Sequence, residues 1–260
     1  MVAVQGVIGI AEPIAMPASI DQAFIDAVRG EFATVVARQP VPDGAPLNLP
    51  HLMLQSTTSQ LAVSAARADF QKQFYGEWAQ DPEACFGYAA RKLRAVLAGW
   101  DATPGQPSFV GVVLNVQFPF EGDGPTPVEQ ILTTMLRQQF DPSVVQDAQA
   151  RVGVRLDDRH FVTLHASNYE NKLLERPVLP GPQIIDVKPW EGRVEQVGVS
   201  VAIDVNNRLD AINRRADPAI SVTDLDSVLG IVSNAARGAA RTFVETGSYD
   251  IDALIPHEAA

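Results

Sequence analysis

The residues able to do chemistry in this chain are few and scattered. They are His51, His160, His165 and His257, the single cysteine Cys85, and aspartates near predicted strand ends. The densest local group is Asp157, Asp158 and His160, with His165 five positions beyond His160. Aspartate beside histidine suits a metal centre or an acid–base pair. The spacing works against a shared centre: on a strand, side chains five apart project from opposite faces. His160 and His165 reach one metal only if the strand breaks between them. The structural alternative is a turn-exposed aspartate pair beside a core-facing or surface histidine.

Asp204 and Asn206 form the second candidate, on one face at the end of a long strand. A calcium loop starting at Asp204 needs glycine at its sixth position and glutamate at its twelfth. Leu209 and Arg215 stand there instead, so the match fails, and a strand-end turn closed by Asp and Asn is the plainer reading. Cys85 falls on the buried stripe of a predicted helix and reads as an inert thiol. The chain has no G-x-S-x-G elbow, P-loop, G-x-G-x-x-G fingerprint or paired C-x-x-C. These absences argue against a serine hydrolase, a P-loop enzyme, a Rossmann dehydrogenase and a zinc ribbon, though not against an enzyme built from scattered residues. The sequence therefore assigns no catalytic residue, no cofactor and no metal.

The elements that must position these groups are led by residues 194–247. Val197, Val199, Val201, Ile203 and Val205 alternate with small or polar residues, which predicts a strand with one buried face. Leu225, Val228, Leu229, Val232, Ala236, Ala239 and Phe243 recur at helical spacing behind it. Ser221 with Asp224 forms a capping box, and Gly247 stands at the C-terminal glycine position.

Earlier in the chain, residues 2–10 read as a strand or docked arm. Ser19 with Gln22 opens a helix whose stripe of Phe24, Val28, Phe32 and Val35 runs to about residue 39. Four prolines between 40 and 50 make a linker. Residues 51–70 read as a hairpin, although local propensity leans towards helix. Asp81-Pro82 starts a helix that buries Cys85, Ala89, Leu93, Val96 and Trp100. Residues 110–118 alternate as a strand, and Thr126-Pro127 with Glu129 starts a helix reaching about residue 140. Residues 152–156 and 161–166 pair around the Asp157–Arg159 turn.

Val-Gly-Val opens three of these strands, at 110, 152 and 197. Together with the order of elements it suggests an internal repeat. The fold class expected is α+β, an antiparallel or mixed sheet with helices on one face, with the option of two related β-β-(α)-β-α units. The divisions are 1–50 (strand or arm, helix and linker), 51–150 and 151–260, and they are free to form one compact domain.

Composition narrows the function. A hydrophobic fraction of 46% and a charged fraction of 20% suit a globular chain with a real core. A formal net charge of −11 without a Lys/Arg cluster disfavours nucleic acid and anionic membrane. One cysteine excludes an internal disulfide, and the apolar start lacks the flanks of a signal peptide; both point to the cytoplasm. The remaining lead is the Pro-rich stretch with Tyr169, Leu173, Leu174, Pro177, Leu179, Pro180 and Trp190. It is read either as an interaction surface or as a strap over the chain's own core.

The expectation is a cytoplasmic, non-catalytic binding protein that self-associates or joins a protein complex. The alternative is a metal- or acid/base-dependent hydrolase using Asp157, Asp158, His160 and His165, or Asp204 and Asn206. A peptide-holding chaperone is a third class, by fold-level analogy.

Overall fold

A computed structural model of the chain describes residues 3–10, 18–40, 42, 44–121, 124–138, 141, 144–173, 192–208, 219–248 and 254. Among these residues nine strands form one sheet: β1 (Ala3–Ile10), β2 (Thr34–Arg38), β3 (Leu52–Ser56), β4 (Ser59–Val63), β5 (Arg67–Gln73), β6 (Pro107–Pro119), β7 (Gln149–Arg155), β8 (Phe161–Leu173) and β9 (Arg193–Asn206). Their spatial order is β2-β3-β4-β5-β1-β6-β9-β8-β7, and every neighbouring pair is antiparallel. The α+β class with helices on one face is what the sequence leads one to expect.

Period-two alternation explains why one face is dry. Val4, Ile8, Val112, Leu114, Leu164, Val201, Ile203 and Val205 are all fully buried. They pack against α1 (Ala18–Val28), α2 (Pro82–Asp101), α3 (Pro127–Gln130), α4 (Val222–Asn234) and α5 (Ala240–Thr246). α1 packs on α2, where Phe24 meets Trp100 edge-on at 5.1 Å.

The helix ends follow local rules. Asp81 caps α2 by accepting the Ala84 N–H, and the capping boxes at Thr126–Glu129 and Ser221–Asp224 are both closed. Ala235–Ala239 is a π turn joining α4 to α5. Gly247 ends α5 at φ 66°, where an added Cβ would lie 2.1 Å from the Thr134 carbonyl oxygen. Both the left-handed backbone and the close approach require glycine.

Two expectations are corrected, the bounds of the first helix and the length of the helix at Thr126, and two are sharpened. At the start of the chain the strand option holds: β1, Ala3–Ile10, is a central strand between β5 and β6. The first helix starts at Ala18, so Ser19 lies inside it, and it stops at Val28. Thr34–Arg38 is instead the edge strand β2. The β-branched run Thr34-Val35-Val36 gains ladder bonds to β3 that a helix extension would lack. The helix at Thr126 keeps one α turn, a π turn over Ile131–Met135, and no more. There the Thr133 hydroxyl donates back to the Glu129 carbonyl, and Arg137 takes φ 52°. Finally, residues 51–70 form the expected hairpin, but a third strand, β5, extends it to Gln73. Lys72 on the inner face of β5 hides that strand's alternation.

Candidate functional site

Among the described residues the Asp157 turn holds the one arrangement that resembles catalytic machinery. Asp157 Oδ1 accepts the backbone N–H groups of Arg159 and His160, each at 2.6 Å, which fixes the β7–β8 turn. Its Oδ2 lies 2.8 Å from His160 Nδ1. His160 Nε2 lies 3.3 Å from Ser227 Oγ on α4. Arg159 pairs with Asp224, the capping carboxylate of the same helix. Burial pushes the Asp157 carboxyl up, but the His160 hydrogen bond and the two backbone donors outweigh it and hold the group below the usual range.

Serine, histidine and aspartate touch in the order nucleophile, base, orienter. Sequence reasoning missed Ser227, which lies 67 positions from His160 with no motif around it. Its setting suits a structural tie better than a nucleophile. Ser227 is inside α4, where backbone N–H groups are bonded to carbonyls one turn back and leave no oxyanion donors beside it. Cavities of about 460, 430 and 200 Å³ are lined by other residues.

The remaining predicted residues do not converge. Asp158 is almost fully exposed and pairs with Arg155 at 2.8 Å. His165 lies on the helix-free face, 3.2 Å from Gln149 Oε1. Asn206 donates to Asp204 Oδ1 at 3.1 Å and accepts the Arg208 N–H, closing the strand end. Cys85 is buried, burial pushes its thiol up, and its Sγ contacts the Trp78 carbonyl at 3.0 Å. Among the described residues no group of three or more His, Cys, Asp or Glu is placed to hold a metal.

The second site candidate is the sheet face that carries no helix among the described residues, called the helix-free face. Register places Gln55 opposite Gln60, Gln60 opposite Gln71, and Gln71 opposite Gln5. Four amides thus stand side by side on four adjacent strands. Asp204 and Thr163 continue the row beyond Val113. A cavity of about 430 Å³ runs over the amides and is also lined by Thr58, Lys72, Gln73 and Tyr75.

Tyr169, from the predicted interaction surface, lies on this face across Gly198, whose added Cβ would meet the Tyr169 hydroxyl at 2.9 Å. That hydroxyl is buried without a hydrogen-bond partner, and burial pushes the phenol up. Leu173 is 44% exposed at the end of β8. Leu174, Pro177, Leu179, Pro180 and Trp190 lie outside the described residues.

A third polar group, at the opposite end of the sheet, was hidden in the sequence. Asp21 of α1 accepts from Arg38 Nε at 2.9 Å and lies 3.0 Å from His51 Nε2. Asp21 and His51 are 4% and 3% exposed, so this pair is sealed in the core. It ties α1 to the β2 and β3 ends and contains no nucleophile. No protein-family model matches the chain, and no curated protein shows significant sequence similarity to it.

Proposed function

We propose that the protein is a non-catalytic binding protein that engages a protein partner, or a second copy of itself, across the helix-free face of its sheet. The amide row Gln55–Gln60–Gln71–Gln5 carries this reading. Each amide offers both a donor and an acceptor, and a row of them presents repeated hydrogen-bonding points without charge, suited to a polypeptide backbone. Edge strand β2, with Val35 and Val36 exposed, offers a further pairing surface. The cytoplasm remains the proposed location, resting on the single cysteine. Among the described residues no helix is long and apolar enough to cross a membrane.

The reading includes a duplication whose frame differs from the one suggested by the Val-Gly-Val repeats. Among the described residues, and setting aside the extra edge strand β2 between α1 and β3, β1-α1-β3-β4-β5-α2 and β6-α3-β7-β8-β9-α4 have the same element order. From the central β1/β6 pair the strands run outward as β1-β5-β4-β3 and β6-β9-β8-β7.

Light scattering after size exclusion tests the binding reading, with Gln60→Glu/Gln71→Glu as the disrupting variant. The wild type should run above monomer mass, or capture a partner that the double variant releases. Unchanged assembly in the double variant would remove this face from the interface.

The contact order Ser227–His160–Asp157 favours one second reading, a hydrolase. p-Nitrophenyl acetate turnover abolished by Ser227→Ala would establish it, and turnover unaffected by that change would end it.

A further inference from the structure

The inner face of β5 reads Ala68, Phe70, Lys72, and Phe74 follows directly, so an ammonium stands where the pattern calls for an apolar side chain. Lys72 is 8% exposed. Among the described residues it forms no ion pair or hydrogen bond through its side chain; its Nζ faces the rings of Phe74 at 5.1 Å and Tyr88 at 5.8 Å.

Two more cations surround the same Tyr88 ring. Lys92, 3% exposed, has its Nζ 5.2 Å from the ring centre, and the Arg91 guanidinium lies at 5.4 Å. Those two share a single carboxylate, Glu31, at 3.0 and 2.9 Å. The cluster thus carries two positive charges in excess, inside a chain whose net charge is −11. Hydroxyls complete it. Tyr88 Oη lies 2.9 Å from Ser59 Oγ. Burial pushes the Tyr88 phenol up, but the Ser59 and Ser56 hydroxyls and the Lys92 charge outweigh it and leave the phenol below its ordinary range. Of the cluster's residues, Thr58 and Lys72 also border the 430 Å³ cavity that runs over the amide row.

We propose that this cluster between β5 and α2 binds a phosphate group, as inorganic phosphate or as a phosphate monoester, with Lys72 as its principal cation and Tyr88 and the β3–β4 turn hydroxyls as further donors. Phosphate near neutral pH carries close to two negative charges, which matches the excess. A phosphate offers several oxygens to ammonium and hydroxyl donors, more than a single carboxylate does. The cluster shares the 430 Å³ cavity with the amide row, but phosphate binding and assembly are read out separately, so either reading can fail without the other.

Calorimetric titration with sodium phosphate, and in parallel with glycerol 3-phosphate, against sodium chloride of equal ionic strength, tests it. The wild type should bind at least one of the two phosphates saturably. Binding to the monoester alone places the physiological ligand among esters; binding to both leaves the site open to the free ion. Lys72→Gln should weaken binding by about tenfold or more, and Tyr88→Phe by less. Heat signals no larger than those of chloride, or wild-type affinity in Lys72→Gln, would overturn the proposal. Should Lys72→Gln fail to fold, Tyr88→Phe and Ser59→Ala decide it, since wild-type affinity in both would equally overturn it.

Discussion

Two aspartate–histidine pairs stand at opposite ends of the sheet, and they differ in burial and in the third group that completes them. At the β2–β3 end Asp21 and His51 are both sealed from solvent, and Arg38 takes the second carboxylate oxygen. At the β7–β8 end His160 is buried, Asp157 is half exposed, and Ser227 takes the far ring nitrogen. The first pair spans 30 positions in sequence and the second only three. The local pair forms with its turn, because few residues must be ordered to close it. The distant pair forms only once α1 and the sheet edge have docked, and burial then makes it the costlier one to break.

Asp21→Ala should have the largest effect on this contrast. It removes the acceptor from a buried histidine and a partly exposed arginine, and should cost about 3 kcal/mol. Urea unfolding should show a lower midpoint at unchanged slope. A loss no greater than that of the Asp157 pair would erase the difference argued from burial.

His160→Ala comes next. It removes a buried ring together with its bonds to Asp157 and Ser227, and should cost about 2 kcal/mol by the same measurement. Hydrogen exchange should report the loss at the β7–β8 turn and the first turns of α4, leaving α1 protected.

The smallest effect is on pH dependence. Asp157, Asp224 and Glu31 are each held below their ordinary range. A carboxyl lowered in the folded state adds stability above its unfolded pKa and loses it as pH falls through the folded value. Stability should therefore decline as pH drops below about 4. Asp157→Asn should make that decline shallower, whereas a slope identical to wild type would mean that the turn carboxylate adds nothing.

Legibility in the sequence followed distance along the chain. The Ser221–Asp224 box, the Asp81-Pro82 start and Gly247 were readable, because each depends on bonds within a few residues. β9 was readable because its apolar alternation is unbroken. β2 was not, since Phe24, Val28, Phe32 and Val35 mimic a helical stripe that ends, in space, at Val28. β5 was masked by Lys72. The Asp157–His160 half of the polar group was visible as a cluster, but Ser227 was not, because only the packing of α4 on the sheet brings it there.

By itself the sequence determined the elements whose caps and alternation are local: the capped helices, the long strands and the turn at Asp157. Only the tertiary structure decided that β1 and β6 meet at the centre of one antiparallel sheet. It alone aligned four glutamines from four strands, and it alone brought Lys72 to Tyr88 and Asp21 to His51. The reason is register. Alternation says which way a side chain points, while pairing between distant strands sets which side chains become neighbours.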